Sequence, residues 1–118
     1  MANTFKSAVT GSSSTIGAFY TCPAATTAVV HAVYLSNVDA RLSDQTINLS
    51  VSGSAFFNDR KYILKTVDVP ADSTVVIEKP INLGAGDKLE AQASQTSSID
   101  VFASILEITW YGWFKVHW

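Results

Sequence analysis

Hydrophobic and polar residues alternate with a period of two along much of this chain. Residues 46–53 (TINLSVSG) and 87–94 (DKLEAQAS) each place their apolar side chains on one face and their polar side chains on the other. That alternation is typical of β-strands with one solvated face. It predicts sheets that bury one side only.

Further segments are rich in β-branched and aromatic residues and are bounded by turn residues, as strands are. No window of 11 or more residues shows a helical apolar stripe with a cap. The pattern therefore predicts an all-β fold, a single antiparallel β-sandwich or jelly-roll-like domain of about seven or eight strands. The additional strand segments are 14–21, 26–38, 61–69, 73–83 and 98–109.

Two of these segments carry finer predictions. Residues 28–35 (AVVHAVYL) are apolar on both faces, which favours a central strand and makes His31 a buried core histidine. In 98–109 the apolar positions change phase, and an extra residue is needed for such a change. We therefore expect a β-bulge near Ile105.

The chain divides into three parts. Residues 1–13 are expected to form an N-terminal arm or a linker, and residues 14–109 the sandwich. Residues 110–118 (WYGWFKVHW) hold all three tryptophans of the protein. Extended as a strand, this C-terminal segment has one almost wholly apolar face. It either closes the domain's own sheet or docks on a neighbouring molecule by strand addition, and intersubunit docking is the preferred interpretation.

Composition excludes several functions. The chain has 118 residues, a net charge of −2 and only 15% charged residues, with no basic stripe for nucleic acid. No apolar run predicts a signal peptide or a membrane span, so synthesis in a host cytoplasm is expected. The lone Cys22 and two distant histidines fit no zinc spacing. We predict no metal and no cofactor.

The sequence also offers no catalytic arrangement. The histidines are His31, in a predicted buried strand, and His117, in the C-terminal segment. No serine lies in a strand-to-helix turn of the kind that positions a hydrolase nucleophile. Most carboxylates fall beside turn residues, where they cap turns. The stretch GAGD lacks the lysine of a phosphate loop and precedes a strand. We expect no catalytic residues and no enzyme.

Several motifs follow one another in a fixed order along the chain. These motifs are Tyr20-Thr21-Cys22-Pro23-Ala24, then Asn37-Val38-Asp39, then Lys65-Thr66 with Pro70-Ala71-Asp72-Ser73, then 83–89, then Leu106-Glu107-Ile108. In this order they resemble the motifs of a group of small β-sandwich proteins encoded among bacteriophage virion genes. The resemblance covers about residues 14 to 109. It implies a structural component of the head, neck or tail, located in the virion, present in several copies and without catalytic residues.

The predicted function is therefore a non-enzymatic virion protein of the neck or tail that forms a symmetric oligomer and contacts other virion proteins. The alternatives are a capsid cement or decoration protein, and a carbohydrate-binding sandwich with Tyr111, Trp113 and Trp118 as its platform. Phe56 and Phe57 lie in a loop and form either a contact site or part of the core. The predicted interface residues are Trp110, Tyr111, Trp113, Phe114, Val116, Trp118, Phe56 and Phe57.

Overall fold

The structure, a computed structural model, describes residues 2–39, 43–53 and 59–109. Turns containing Gly, Pro, Asp and Ser separate the strands, as the sequence predicts. The described residues form nine strands: β1 (Ala2–Gly11), β2 (Gly17–Thr21), β3 (Thr26–Asn37), β4 (Gln45–Gly53), β5 (Asp59–Val69), β6 (Thr74–Ile77), β7 (Ile81–Leu83), β8 (Lys88–Ala93) and β9 (Ile99–Thr109).

The strands build two antiparallel sheets that pack face to face. Sheet A has the order β1-β9-β3-β6, and β7 also pairs with β3. Sheet B has the order β2-β8-β4-β5. The predicted β-sandwich is confirmed, with one strand more than the upper expectation. In the described part of the chain no helix is long and apolar enough to cross a membrane.

The core lies between the sheets and is built by alternate residues of each strand. Val33, Leu35 and Ile105 of sheet A and Leu49 and Leu89 of sheet B are all fully buried. Each such aliphatic side chain contributes about 1.5–3 kcal/mol of transfer free energy. The period-two pattern therefore fixes which face of sheet B turns inward.

Sheet A departs from the sequence prediction at its centre. Strand β9 keeps its alternation to the end, so it has no bulge at Ile105 and Leu106 stays on the outer face. The register shift lies on the partner strand β3, between Val30 and Ala32, where His31 is the extra residue. His31 is exposed and is not a core histidine. The bulge keeps Val30 and Val33 both directed into the core.

The N-terminal residues also differ from expectation. Residues 2–11 form β1, which pairs with β9 from Ala2↔Thr109 to Gly11↔Asp100. Backbone hydrogen bonding to a central strand is what orders a chain terminus in this way. We expected residues 1–13 to form an arm or a linker. In the structure most of them form an edge strand of sheet A instead.

Most of the motifs that carry the resemblance lie in or next to turns that join the sheets, whereas Lys65-Thr66 and Leu106-Glu107-Ile108 lie within β5 and β9. The Asn37 amide donates to the carbonyl oxygens of Ser43 and Val69, both at 2.9 Å. In the turn before β8, Asp87 accepts from Gly84 N at 2.9 Å through Oδ2. The Cys22 N–H donates to the Asp87 carbonyl at 2.8 Å. These hydrogen bonds hold the turns that join the two sheets, and among the described residues the second carboxylate oxygen of Asp87, Oδ1, is buried without a hydrogen-bond partner.

Candidate interaction surface

The outer face of sheet B is polar. Arg60 Nε donates to Glu90 Oε1 at 2.9 Å, and the Ser50 hydroxyl donates to the same oxygen at 3.2 Å. The hydrogen bond to Glu90, followed by the charge of Glu90, raises the pKa of the Arg60 guanidinium. The Lys65 ammonium lies 4.4 Å from the centroid of the Tyr62 ring. This face satisfies its own charges and is well suited to contact water.

The outer face of sheet A is apolar. Strand register places Val9 beside Phe102, Phe102 beside Tyr34 and Tyr34 beside Val76. These four side chains are 65%, 39%, 41% and 39% exposed. The Tyr34 and Phe102 rings meet edge to face, 5.9 Å between centroids. An apolar row thus crosses the sheet from β1 to β6.

A second apolar row runs parallel to the first. Phe5, Leu106 and Val29 are register neighbours on the same face. Phe5 is 76% exposed, and its ring stacks on His31 with 6.4 Å between centroids. His31, the extra residue of the bulge in β3, lies on the outer face, where its imidazole meets the Phe5 ring.

Small and polar residues separate and border the two rows. Ser7, Ser104 and Ala32 lie between them in register. At one end Asp100 and Ser36 form a polar rim with their strand neighbours. Among the described outer-face residues of β1, β3, β6, β7 and β9, the only Asp, Glu, Lys or Arg is Asp100. An apolar patch with a polar rim is typical of a protein–protein contact site.

The buried polar groups at the other end of sheet A have structural roles. Glu107, on the inner face of β9, accepts from the Tyr20 hydroxyl at 2.5 Å and pairs with Lys6 Nζ at 3.1 Å. Burial, followed by the hydrogen bond to Glu107, raises the pKa of Tyr20 above its usual range. Burial and then the charge of Glu107 also raise the pKa of Cys22.

The environment of Cys22 does not favour nucleophilic chemistry. The Cys22 thiol is buried and donates to the Thr26 carbonyl at 3.3 Å, so its raised pKa keeps it protonated and unreactive. Within the described residues no group of three or more His, Cys, Asp or Glu side chains is arranged to hold a metal ion.

All the interface residues predicted from sequence lie outside the described residues. These are Trp110, Tyr111, Trp113, Phe114, Val116, Trp118, Phe56 and Phe57. They stay predictions. The last described residue before the C-terminal segment is Thr109 at the end of β9, in register with both Ala2 and Thr26.

Sequence reasoning missed the apolar outer face that the structure shows. Its signal was present in β3 and β9, which are apolar on both faces. A strand in a two-layer sandwich has only one face against the core. A strand with two apolar faces therefore predicts an outer apolar surface as well as a central position in its sheet.

The similarity between this chain and known proteins is low. No protein-family model matches the chain, and no curated protein matches it. Among solved structures, one chain of the acidic stable capsid structure of Helicobacter pylori bacteriophage KHP30 is similar, with 11% identity and a TM-score of 0.49. The match covers 93% of this chain and 95% of that chain. The function proposed below rests on the residues and fold of this chain.

Proposed function

We propose that this protein is a non-enzymatic structural component of a bacteriophage virion, in the head–tail neck or the tail, that assembles as a symmetric oligomer. The observation that carries the proposal is the apolar outer face of sheet A. The ordered sequence motifs that resemble virion β-sandwich proteins supply the virion context. A capsid cement or decoration role uses the same surface and differs only in its position in the particle.

The physical case rests on the difference between the two outer faces. The outer face of sheet B carries Arg60, which pairs with the buried carboxylate of Glu90, whereas the outer face of sheet A exposes Phe5, Tyr34 and Phe102. Apolar surface removed from water contributes about 25 cal/mol per Å². In a closed symmetric assembly every copy buries the same patch. The contacts predicted from sequence for 110–118 and for Phe56 and Phe57 are part of the same proposal.

Solution mass tests the proposal, with a matched pair of variants. Tyr34 and Tyr62 are 41% and 44% exposed and lie on opposite outer faces. We expect the full chain to be a defined oligomer by light scattering, Tyr34→Glu to reduce its mass, and Tyr62→Glu to leave it unchanged. A wild-type chain that is monomeric at all concentrations, or equal effects of the two variants, would overturn the proposal.

The virion location needs its own measurement. Mass spectrometry of gradient-purified particles of the encoding phage should find this chain at many copies per particle. Its absence from intact particles that form normally would refute the virion assignment. Its position, found by immunogold labelling, separates the neck and tail from the capsid surface.

The carbohydrate-binding alternative has one observation in its favour, the exposed aromatics Tyr34 and Phe102 on a sheet face. Sugar platforms need rings that lie flat against the ligand, however, and these two meet at 62°. A glycan array with the full chain tests this alternative. Specific binding that Tyr34→Glu abolishes would favour it over assembly.

A further inference from the structure

Strand β1 is a free edge of sheet A. It pairs with β9 on one side through its whole length, from Ala2 to Gly11. In the described part of the chain no strand pairs with its other side. Alternate N–H and C=O groups along an edge point outward and are available to another strand.

The β1 edge lacks the features that protect other edges of this sandwich. Strands β6 and β7 are four and three residues long, and β2 has five residues and a register shift. Strand β5 is long but charged and twice shifted in register. Short length, charge and bulges are the usual protections against edge pairing.

By contrast β1 has ten residues, a regular register and no proline. Its only charged side chain, Lys6, is paired with Glu107 at 3.1 Å. Phe5 and Val9 are 76% and 65% exposed on its outer face. An edge of this kind is one that a partner strand is expected to cover.

The C-terminal segment 110–118 has the length and pattern of such a strand. Its nine residues contain no proline and no acidic residue, and apolar and polar residues alternate from Phe114 to Trp118. Fully extended it spans about 30 Å, against about 33 Å for ten residues of β1. It therefore matches the free edge almost end to end.

Among the described residues, neither neighbour of β9 continues in line past Thr109. Thr109 is in register with Ala2, the first described residue of β1. On the other side it is in register with Thr26, the first residue of β3. The preceding Ala25 has a φ of 54°, and the chain before it belongs to β2 of sheet B. The described strands of sheet A therefore offer no in-line partner beyond Thr109.

We propose that residues 110–118 of one copy add as a strand to the free edge of β1 in a second copy. To reach the unpaired side of β1 in its own chain, the segment would have to cross two strand spacings, about 10 Å, and several of its residues would be spent on the reversal. When the segment pairs with β1 of a second copy, no reversal is needed and all nine residues are available for pairing. The inference rests on the proposed function in one respect, that copies of the chain associate.

The space beside β1 suits the incoming side chains. The adjoining edges β1 and β2 leave a cleft of about 100 Å³, lined by residues that include Thr10, Ser12, Gly17 and Phe19. The cleft lies beside the Thr10–Gly11 end of β1, so an inward-facing residue of an added strand at that end would enter it, and outward-facing residues would lie beside Phe5 and Val9. Backbone hydrogen bonds then fix the strand, and the aromatic side chains anchor it.

Disulfide trapping between two full-length variants tests the pairing. Thr4→Cys, Ser7→Cys and Thr10→Cys sample β1, and each is mixed with Lys115→Cys under mild oxidation. A disulfide needs Cα atoms about 4.4–6.8 Å apart. We expect at least one mixture to give a cross-linked dimer in high yield. The native Cys22 is buried and does not compete.

The controls separate this inference from its rivals. Lys61→Cys on the β5 edge, mixed with Lys115→Cys, should not cross-link. Cross-linking of Ser7→Cys alone would show β1–β1 pairing instead, and cross-linking only when both substitutions share one chain would show docking in cis. Either result, or no cross-link in any mixture, overturns the inference.

The outcomes also distinguish this inference from the proposed function. If Tyr34→Glu reduces the mass of a wild-type oligomer but no mixture cross-links, the assembly proposal stands and the strand addition fails. If the mixtures cross-link but Tyr34→Glu leaves the mass unchanged, the strand addition stands and the outer face of sheet A loses its assigned role.

Discussion

The Tyr20 hydroxyl lies 2.5 Å from Glu107 Oε2 and links β2 of sheet B to β9 of sheet A. Tyr20 is 9% exposed and Glu107 is 6% exposed, so the hydrogen bond is largely shielded from water. Glu107 occupies an inward position that the alternation of β9 otherwise fills with apolar residues. Its carboxylate therefore depends on Tyr20 and Lys6 for its hydrogen bonds.

Tyr20→Phe should lower the free energy of unfolding by about 1–3 kcal/mol, because it leaves a buried acceptor without its donor. Urea denaturation followed by circular dichroism measures the change. Tyr34→Phe serves as the control, since Tyr34 is exposed on the outer face. Equal stabilities of the two variants would show that the hydrogen bond to Glu107 contributes nothing net.

Cys22 should make the protein less stable as the solution becomes alkaline. Its pKa is raised in the folded state by burial and by Glu107, whereas an unfolded cysteine ionises near pH 8.5. The unfolded state then loses a proton that the folded state keeps. The stabilising effect is complete below about pH 8.5 and is lost as pH rises through the folded pKa.

Urea midpoints between about pH 7.5 and 9.5 measure this effect, compared with Cys22→Ala. The slope with pH should be smaller in the variant, whatever its absolute stability. The native thiol should also react slowly with a thiol reagent until urea unfolds the chain. Rapid reaction of the folded protein would contradict the buried position of Cys22.

Gly53→Ala should destabilise the sandwich by about 2 kcal/mol or more, from strain and overpacking. An added Cβ would lie 2.1 Å from Asp87 Oδ1 and 2.9 Å from Asp87 Cα, and the φ of Gly53 is 140°. Asp87 is buried, so it has no room to move away. Thermal denaturation compares this variant with the wild type.

Gly17→Ala is the matched control for Gly53, because an added Cβ there meets nothing within 4 Å. Its stability should remain within about 0.5 kcal/mol of the wild type. If both variants lose stability equally, the cost comes from the loss of glycine in a strand region and the contact with Asp87 is not its cause.

Asn37 joins the end of β3 to the end of β5 in the opposite sheet. Its amide donates to Val69 O and Ser43 O, both at 2.9 Å, and its Oδ1 accepts from Asp39 N at 3.0 Å. Asn37→Ala should lower the free energy of unfolding by about 2–3 kcal/mol, because it leaves buried carbonyls unpaired. Chemical denaturation gives the value.

Asn37→Asp sharpens the test, because a carboxylate would face two carbonyl oxygens. It should be at least as destabilising as Asn37→Ala at neutral pH, although it is nearly isosteric. Asn82→Ala, on the exposed face of β7, should have little effect. A tolerated Asn37→Asp would show that these carbonyls find other donors.

Several features of the fold were predictable from local patterns. The alternation in 46–53 and 87–94 predicted β4 and β8 with the correct inward faces, and turn residues predicted most of their ends. In the turn before β8, Gly86 has a φ of 84°, a conformation that glycine adopts without a steric penalty. Each of these depends on neighbouring residues only, which is why sequence reasoning reached them.

The alternation in β3 and β9 left the choice of inner face to the tertiary structure, because both faces of these strands are apolar. Sheet B covers one face, which buries Val101 and Ala103 and leaves Phe102 outside. The same packing turns Glu107 inward, where Tyr20 from a distant strand stabilises it. Local patterns in the sequence predicted most of the strands and turns, with β1 as the exception. The placement of the second sheet decided which apolar face became core and which became a surface, because that choice depends on contacts between residues far apart in the chain.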